Sequence, residues 1–380
     1  MKSHLRAIII AALTLGLLAL FFRHADFGSV WAAMREADRG LLLLALATTV
    51  PLYIVRAWRW QYFLAPIGPT RFSVALATTI IGFAATSVLP ARAGEVLRPY
   101  LLARREGLSA TAAFATIVVE RLMDLITVLL LFAAFVLVFD PGMALVDDRV
   151  YRAVKLGGLA AAAASLVALV FMIVIAGHPE RVSRVPAFFD RVLPSRFAGV
   201  LTRLTRTFAE GLAVMRRPRD LAVALALSFP IWLTIAAESW LVVRAFDLTM
   251  PFTGSFLLTA LLVVGVAVPT PGAVGGFHEA FRIGMTTFYG APNDSAVGAA
   301  IVLHAVSFVP VTIVGIALMA REGLSFAGLQ RMSGGASGSD AGEPSVGGEE
   351  PQRRAREAGV ADRHEQGAAT GRPLNKEGRA

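Results

Sequence analysis

The chain has 380 residues, of which 56% are hydrophobic and only 17% are charged. A soluble domain carries about 25% charged residues, and the mean hydropathy here is +0.64. This composition excludes an ordinary soluble enzyme, a nucleic-acid-binding module and a disordered protein, although the formal net charge is +9. Because the chain contains no cysteine, it has no disulfide, iron–sulfur cluster or thiolate zinc site.

Eight apolar segments predict an all-α polytopic membrane protein, because about 20 apolar residues span the hydrocarbon layer of a bilayer. The segments cover residues 5–22, 40–58, 73–103, 112–139, 154–177, 221–244, 255–288 and 295–320. The first follows Lys2 and Arg6, as the apolar part of a signal peptide would. It lacks the small residues of a cleavage site, so we expect a retained anchor helix.

Two of these segments are interrupted by proline and glycine, which together stop a helix. The first interrupted segment, 73–103, contains Pro90 and Gly94. The second segment, 255–288, contains the turn residues Pro269, Pro271, Gly272, Gly275 and Gly276. We expect each to enter the membrane, turn at these residues and return on the same side as a re-entrant helical hairpin.

The charges of the connecting segments test this topology, because lysine and arginine collect on the cytoplasmic side of a membrane. With two re-entrant hairpins, the cytoplasmic segments carry net charges between +2 and +6. The outer segments then carry between −1 and 0, and the largest positive value belongs to residues 178–219. The sequence therefore predicts six transmembrane helices plus two re-entrant hairpins, with both termini cytoplasmic.

The two interrupted segments also resemble each other in sequence. The matched pairs are Pro90–Pro271, Gly94–Gly275, Glu95–Glu279, Arg98–Arg282 and Glu120–His304. Since the two hairpins are expected to enter from opposite faces, the halves 40–139 and 221–320 would form an inverted repeat. Such repeats, with interrupted helices that meet near the midplane, are typical of transporters. The alternative is a chance alignment.

Charged residues within the apolar segments point to a functional site, because each costs roughly 2.5–3.5 kcal/mol at a helix centre on insertion scales. Glu120 lies ~15 Å along its helix, near the midplane, and shares a helix face with Asp124. We expect one polar cavity between the halves, formed by Arg92, Glu95, Arg98, Glu120, Arg121, Asp124, Glu279, Arg282 and His304. The alternative is that these residues form ion pairs that only hold the hairpins in place.

Three further charged residues are interpreted as interfacial. Glu238 lies near the end of its apolar segment and close to Arg244, which favours an ordinary ion pair. Arg56 and Arg59 lie close to Trp58 and Trp60 at a segment end, where snorkelling and aromatic anchoring are expected.

The segments outside the membrane have their own patterns. Residues 196–217 place apolar residues at helical spacing with arginines between them. This pattern predicts an amphipathic helix, which lies either on the inner leaflet or on the protein's own loops. Residues 331–380 are rich in Gly, Ser, Glu and Arg, and predict a disordered cytoplasmic tail after a membrane domain that covers 1–322.

Catalytic and metal-binding motifs are incomplete. His278-Glu279 begins an HExxH motif, but position 282 is arginine, so the second zinc ligand is missing. The glycines of 272–276 are not followed by the Lys-Ser/Thr of a nucleotide-binding loop. We therefore expect no metal, no cofactor and no catalytic residues.

Four stretches in combination, RAWRW, SVLPARAGEVLRPYLL, IVVERLMDL and PTPGAVGGFHE, resemble the lysylphosphatidylglycerol synthase transmembrane-region family of flippase-like membrane proteins. The resemblance covers residues 5–322. It implies functional positions at Arg92, Gly94, Glu95, Arg98, Glu120, Arg121, Asp124, Pro271, Gly272, Gly275 and Glu279. Family members often have Gly-Gly where this chain has Gly272-Ala273.

The resemblance also implies a multi-pass protein of the bacterial inner (cytoplasmic) membrane that moves a lipid between leaflets. In bifunctional members a separate soluble domain performs synthesis. Only the 331–380 tail follows the last apolar segment here, so we expect a transporter and not an enzyme. The expected partners are membrane lipids and lipid-biosynthesis enzymes, and no nucleic acid.

Two other functions remain open. One is a non-catalytic scaffold for a complex that makes membrane lipids, with residues 196–217 and the tail as docking elements. The other is a membrane-embedded transferase that acts on a lipid headgroup, in which the clustered carboxylates serve as acid and base.

Overall fold

The computed structural model describes residues 2–89, 92–138, 147–177 and 218–322. Within these ranges the protein is helical and contains no strand. Three predicted features lie outside the described residues, namely the turn residue Pro90, the amphipathic helix at 196–217 and the tail at 331–380.

Apart from a short helix at Phe27–Glu36, which lies in a predicted connecting segment, the described helices follow the predicted apolar segments, with each interrupted segment divided into two. In chain order they are α1 (Lys2–Phe22), α2 (Phe27–Glu36), α3 (Arg39–Leu64), α4 (Phe72–Val88), α5 (Gly94–Glu106), α6 (Ala110–Leu137), α7 (Asp148–Gly177), α8 (Pro218–Ala245), α9 (Gly254–Ala267), α10 (Gly276–Ile283) and α11 (Asn293–Arg321). A 3-10 turn at Pro271–Ala273 precedes α10, and a π-helical turn at Gly284–Phe288 follows it.

Several helices are long and apolar enough to cross a membrane. In the described ranges, four meet this condition outright: α3, the part of α7 up to Val170, α8 and α11. A fifth candidate is the pair formed by α1 and α2, which is bent by 78°. Helix α6 has 28 residues but carries three charged residues in its middle. These features indicate a multi-pass membrane protein.

Helices α3 and α8 pack against each other in antiparallel directions. The Asp38 N–H, at the start of α3, donates to the Ala245 carbonyl oxygen at the end of α8, at 2.8 Å. At the other end, the Tyr62 hydroxyl donates to the Asp220 carboxylate at 3.3 Å. This pair occupies the centre of the bundle, because α4, α6, α9 and α11 all contact one or both of its members.

Glycine pairs let each interrupted segment fold back on itself. In the first hairpin, formed by α4 and α5, a Cβ on Gly94 would lie only 1.9 Å from the Gly82 carbonyl oxygen. In the second hairpin, formed by α9 and α10, a Cβ on Gly276 would lie 2.3 Å from the Gly265 carbonyl oxygen. The two arms of each hairpin therefore touch backbone to backbone at a position that only glycine permits.

The two hairpins open towards opposite ends of the bundle. At the base of the first, Arg105 pairs with Glu322 at the end of α11. At the base of the second, the Tyr289 hydroxyl donates to the Gly254 carbonyl oxygen at 3.2 Å. This base lies next to the end of α8, because Trp240 Nε1 of α8 donates to the Met250 carbonyl oxygen, a few residues before Gly254.

The turns of the two hairpins meet inside the bundle. Arg92 Nη2, in the first turn, donates to the Val266 carbonyl oxygen in the second hairpin at 2.8 Å. A Cβ on Gly272 would lie 3.3 Å from the Ser87 carbonyl oxygen. Positive φ angles at Arg92 (53°) and Gly272 (59°) form these turns.

Each hairpin also packs on a helix of the other half: α4 lies against α11, and α9 lies against α6. Helix α1, which has no counterpart in the predicted repeat, lies on the second hairpin. Its Leu17 contacts the Gly275 position, and its Phe21 ring lies edge-on to His278, with centroids 5.2 Å apart.

Candidate functional site

The middle of α6 carries the charged residues around which the site is built. Ser109 caps this helix by accepting from the Ala112 N–H, and Glu120 follows three turns later. Glu120 is 0% exposed and Asp124 is 4% exposed. Their spacing of four places both carboxylates on one face of the helix, as the sequence predicts.

Arg98 of the first hairpin reaches Glu120 from α5. Its Nη1 donates to Glu120 Oε1 at 2.9 Å, and its guanidinium lies over the Trp60 ring, 3.9 Å from the centroid. Trp60 is in turn fixed by donating from Nε1 to Thr116 Oγ1 at 3.0 Å. Stacking and hydrogen bonding together hold this arginine in one orientation. A lysine at this position would lack the planar group that makes both contacts.

Arg59 reaches the same carboxylates from α3 and is fully buried. Its Nη1 donates to Asp124 Oδ1 at 2.6 Å and to Ser228 Oγ of α8 at 2.8 Å. Its Nη2 lies 3.6 Å from Glu120 Oε1. Trp232 of α8 completes the shell by donating to Asp124 Oδ1 at 3.0 Å.

Arg121 is the most exposed member of this group, with 38% of its side chain accessible. Its Nη2 lies 2.5 Å from Glu120 Oε1 and 3.3 Å from Asp124 Oδ2. The five residues Arg59, Arg98, Glu120, Arg121 and Asp124 are called the arginine–carboxylate cluster below. It joins α3, α5 and α6 at mid-bundle.

The cluster contains more positive than negative charge. Three arginines face two carboxylates, and the buried Arg56 lies beside them with its guanidinium 4.9 Å from the Phe83 ring centroid. Seven guanidinium nitrogens of these four arginines are buried without a hydrogen-bond partner among the described residues, against two carboxylate oxygens. Buried polar groups are normally hydrogen-bonded, so the site is suited to accept an anion with several oxygens.

A pocket of about 40 Å³ connects the cluster to the surface between the first hairpin and α6. Arg98, Arg121 and the partly exposed Glu95 line it, together with Thr86 of α4. Glu95 Oε1 lies 3.8 Å from Arg92 Nη1, so a second ion pair lies at the mouth of the pocket.

A second cavity of about 70 Å³ lies where the two hairpin turns meet. Its polar lining includes Thr86, Ser87, Arg92, Thr270 and Gly272. Thr86 lines both cavities. The polar surfaces near the cluster and at the crossing of the turns are therefore adjacent.

The second half does not bring its predicted residues into this site. Glu279 and Arg282 form a two-pronged pair with each other, at 2.6 and 2.8 Å. Arg282 also donates to Asn293 at the start of α11, at the base of the second hairpin. No described ion pair or hydrogen bond links them to the cluster, so the one shared cavity stays a prediction for these two residues.

His304 lies behind the second turn. Its Nε2 is 2.8 Å from the Gly272 carbonyl oxygen, and its ring stacks on Phe308 and lies 4.6 Å from the ring of His278. His304 therefore supports the turn, and it does not take the place that Glu120 has in the first half.

Sequence reasoning missed three buried residues. Arg56 and Arg59 are not at a snorkelling helix end, because α3 continues to Leu64 and buries both. Glu238 is 2% exposed and accepts from Ser307 Oγ at 2.5 Å, so the predicted pair with Arg244 is wrong. The available signal was the run of Trp60, Phe63 and Leu64, which continues the apolar segment beyond Arg59.

Comparison with known proteins places most of the chain in one family. Residues 6–315 match the model of the family described as "Lysylphosphatidylglycerol synthase TM region". The chain belongs to this family. The match covers all of the described helices except the ends of α1 and α11, so the cluster and both hairpins lie within the family domain.

Two relatives extend this comparison. The chain is 28% identical, over 82% of its length, to a protein of Haloferax volcanii named "Glycosyltransferase AglD", and it spans only about half (53%) of that relative. It is 22% identical, over 78% of its length, to a "UPF0104 membrane protein" of Methanothermobacter thermautotrophicus, and here it spans 90% of the relative.

Among the described residues, no group of three or more histidine, aspartate or glutamate side chains is arranged to hold a metal ion. The carboxylates of the cluster already face arginines.

Proposed function

We propose that this protein moves a phosphate-bearing lipid between the two leaflets of the cytoplasmic membrane. The observation that carries the proposal is the excess of buried arginine in the arginine–carboxylate cluster. Its unpaired guanidinium nitrogens lie beside a pocket that opens between the first hairpin and α6.

A lipid phosphate matches this site chemically. Arginine presents a planar fork of N–H donors that suits phosphate oxygens, and a buried site strengthens each charge interaction relative to water. Arg121, at the surface, would meet the phosphate first, and Arg98 would receive it deeper in the pocket. Glu120 and Asp124 keep the arginines separated and prevent an uncompensated charge when the site holds no lipid.

An inverted repeat supplies the route across the membrane in this proposal. The hairpin arms are short: α4 and α5 extend about 25 and 20 Å, and α9 about 21 Å, at 1.5 Å per residue. None spans the ~30 Å of hydrocarbon alone. In this proposal the hairpins enter the membrane from opposite faces and their turns touch. One hairpin then controls access of lipid from each leaflet.

The register of the glycine contacts supports this repeat. Gly94 and Gly276 each begin the second arm of a hairpin, and each touches the first arm at Gly82 or Gly265. The two helix starts are 182 residues apart. This separation lies between the 181 residues from Gly94 to Gly275 and the 184 residues from Glu95 to Glu279 in the sequence comparison.

The transferase alternative is less suited to the geometry, since Glu120 and Asp124 are both paired with arginines and neither carboxylate is free to face a substrate as acid or base. The proposed orientation has both termini in the cytoplasm, as the arginine-rich segment 178–219 predicts.

The proposal is tested by reconstituting the protein in liposomes that contain fluorescent headgroup-labelled phospholipids and measuring exchange between leaflets. Wild type is expected to accelerate exchange, and Glu120→Gln to reduce it at least ~10-fold. Glu36→Gln, which changes an exposed acid on α2, is the matched control and should behave as wild type. No exchange by wild type with any phosphate-bearing lipid would contradict the function, and equal rates for wild type and Glu120→Gln would contradict the role of the cluster.

A further inference from the structure

The pocket of the arginine–carboxylate cluster is a direct neighbour of the cavity between the hairpin turns, which is called the turn cavity below. Thr86 borders both of them. Arg92 lines the turn cavity and Glu95 lines the pocket, and the two side chains approach to 3.8 Å between Nη1 and Oε1. Two groups that occupied the two cavities would therefore lie side by side.

The turn cavity offers hydrogen-bond donors of two side chains to a ligand. Arg92 donates from Nη2 to a backbone carbonyl oxygen of the second hairpin, but its Nη1 lies beyond hydrogen-bond distance of Glu95. Thr270 Oγ1 is buried and has no hydrogen-bond partner among the described residues. The hydroxyls of Thr86 and Ser87 already donate to carbonyl oxygens of α4. The remaining donors of Arg92 and the Thr270 hydroxyl can therefore bind an anion with several oxygens.

The backbone of Arg92 indicates that its side chain has a role beyond forming the turn. Its φ angle of 53° lies in the left-handed region, which a residue with a Cβ adopts at a cost and a glycine adopts freely. Strained residues of this kind are concentrated at ligand sites. The hydrogen bond to the second hairpin occupies one nitrogen of the guanidinium, so the rest of the group can face a ligand.

The charge next to the turn cavity favours a ligand with more than one negative charge. The cluster contains three arginines and two carboxylates, and the guanidinium of the buried Arg56 lies over the ring of Phe83, which lines the pocket. Four arginines less two carboxylates leave an excess of two positive charges, while Arg92 and Glu95 balance each other. Because buried charge is costly without a counter-charge, a diphosphate matches this site better than the single charge of a phosphodiester.

The sizes of the two cavities match two phosphate groups. The pocket has a volume of about 40 Å³ and the turn cavity a volume of about 70 Å³. Since a buried water needs about 10–15 Å³ of such volume, the two cavities hold roughly three and roughly five waters. The oxygens of one phosphate group can take the place of the waters in each cavity.

We propose that the pocket and the turn cavity together bind a diphosphate, and that the lipid moved by this protein is a lipid diphosphate. The phosphate next to the lipid chain lies at Arg98 and Arg121 in the pocket, which opens between the first hairpin and α6. The terminal phosphate lies at Arg92 and Thr270 in the turn cavity. This inference rests on the proposed function for the movement of the lipid and adds the class of its headgroup.

The carboxylate of Glu95 lies close to both phosphate positions and opposes an anion at either of them. It faces Arg92 across 3.8 Å, and both side chains are partly exposed, so this ion pair contributes little to stability. A phosphate can therefore replace the carboxylate as the partner of Arg92. Removal of the carboxylate is expected to strengthen diphosphate binding, whereas loss of Arg92 is expected to weaken it.

The class of ligand is tested by isothermal titration calorimetry of the full-length protein in detergent, with decyl phosphate and decyl diphosphate. Wild type is expected to bind the diphosphate at least ~10-fold more tightly, because it gains charge-assisted hydrogen bonds. Arg92→Gln and Thr270→Val should each lose most of this difference and keep the wild-type affinity for decyl phosphate. Arg104→Gln, on the exposed face of α5, is the matched control and should keep the difference. Equal affinities of wild type for the two ligands would overturn the inference.

Two substitutions of opposite charge test the position of the second phosphate. Glu95→Gln is expected to tighten the binding of decyl diphosphate about 3-fold or more, and Arg92→Gln to weaken it about 10-fold. If the ion pair only held the turn in place, both substitutions would change the affinity in the same direction. Weaker binding of the diphosphate by Glu95→Gln would therefore overturn the placement of the second phosphate.

Inorganic pyrophosphate separates a lipid headgroup from a free anion. Decyl diphosphate is expected to bind at least ~10-fold more tightly than pyrophosphate, because its chain adds buried apolar surface, and equal affinities would overturn the assignment to a lipid. A preference for the diphosphate without exchange of any lipid in liposomes would leave the diphosphate site standing and contradict the proposed function. Exchange of phospholipids without this preference would leave the proposed function standing and overturn the inference.

Discussion

Arg98 and Glu120 connect the first hairpin to α6 through a 2.9 Å hydrogen bond between Nη1 and Oε1, and neither side chain is more than 4% exposed. Since Arg98 is fixed on its other face by Trp60, the position of the hairpin depends on this contact. The same arginine lines the pocket that opens to the surface. Anything that competes for its guanidinium acts directly on the hairpin.

Removal of the Glu120 carboxylate is expected to destabilise the protein. Glu120→Ala leaves Arg98, Arg59 and Arg121 without their shared acceptor, and breaking a buried ion pair in this way costs about 3–5 kcal/mol. The measurement is the free energy of unfolding in detergent. Glu36→Ala, at an exposed site, should change it by no more than about 0.5 kcal/mol. Equal effects of the two substitutions would show that the cluster does not contribute to stability.

The glycine contact of the first hairpin gives a second prediction. Gly94→Ala places a methyl group 1.9 Å from the Gly82 carbonyl oxygen, so the arms must separate, at a cost of about 1–3 kcal/mol or more. Gly16→Ala in α1 is the matched control, because its Cβ would meet nothing within 4 Å. We expect the thermal unfolding temperature to fall for Gly94→Ala and to stay at the wild-type value for Gly16→Ala. The same unfolding temperature for both variants would contradict the close packing of the arms.

The stacking of Arg98 on Trp60 predicts that charge alone is insufficient at this position. Arg98→Lys keeps the positive charge but loses the planar fork and the ring contact. Lipid exchange in liposomes is expected to fall about 10-fold or more, whereas Arg104→Lys, on the exposed face of α5, should retain the wild-type rate. Full activity of Arg98→Lys would indicate that the residue acts only as a point charge.

The proposed orientation can be tested with single cysteines, since the natural chain contains none. Ser183→Cys, in the arginine-rich segment, is expected to react with a membrane-impermeant maleimide only after the cells are opened. Thr249→Cys, in the exposed connection between α8 and α9, should react in intact cells. The reverse pattern would place the termini outside.

Much of the architecture follows from apolar segment length and from proline and glycine. Those signals predict the long helices and the two interruptions, because both depend on local sequence. The face shared by Glu120 and Asp124 also follows, since helical periodicity alone decides it.

The partners of those carboxylates could not be predicted in the same way. Arg59 appears terminal when α3 is taken to end at residue 58, and its true surroundings depend on the packing of α3 against α6 and α8. Glu279 and Arg282 repeat the pattern of Glu95 and Arg98 in sequence, yet they pair with each other. The two acid–arginine patterns have the same residue types, and only their tertiary contacts make their surroundings different.

The measurement that tests the central claim most directly compares two labelled lipids in the same liposomes, one with a phosphate and one with an uncharged sugar headgroup of similar size. If the buried arginines carry the phosphate, wild-type protein should exchange the phosphate-bearing lipid at least ~10-fold faster, and Arg98→Gln should remove the difference. Equal exchange of both lipids by wild type would contradict the account.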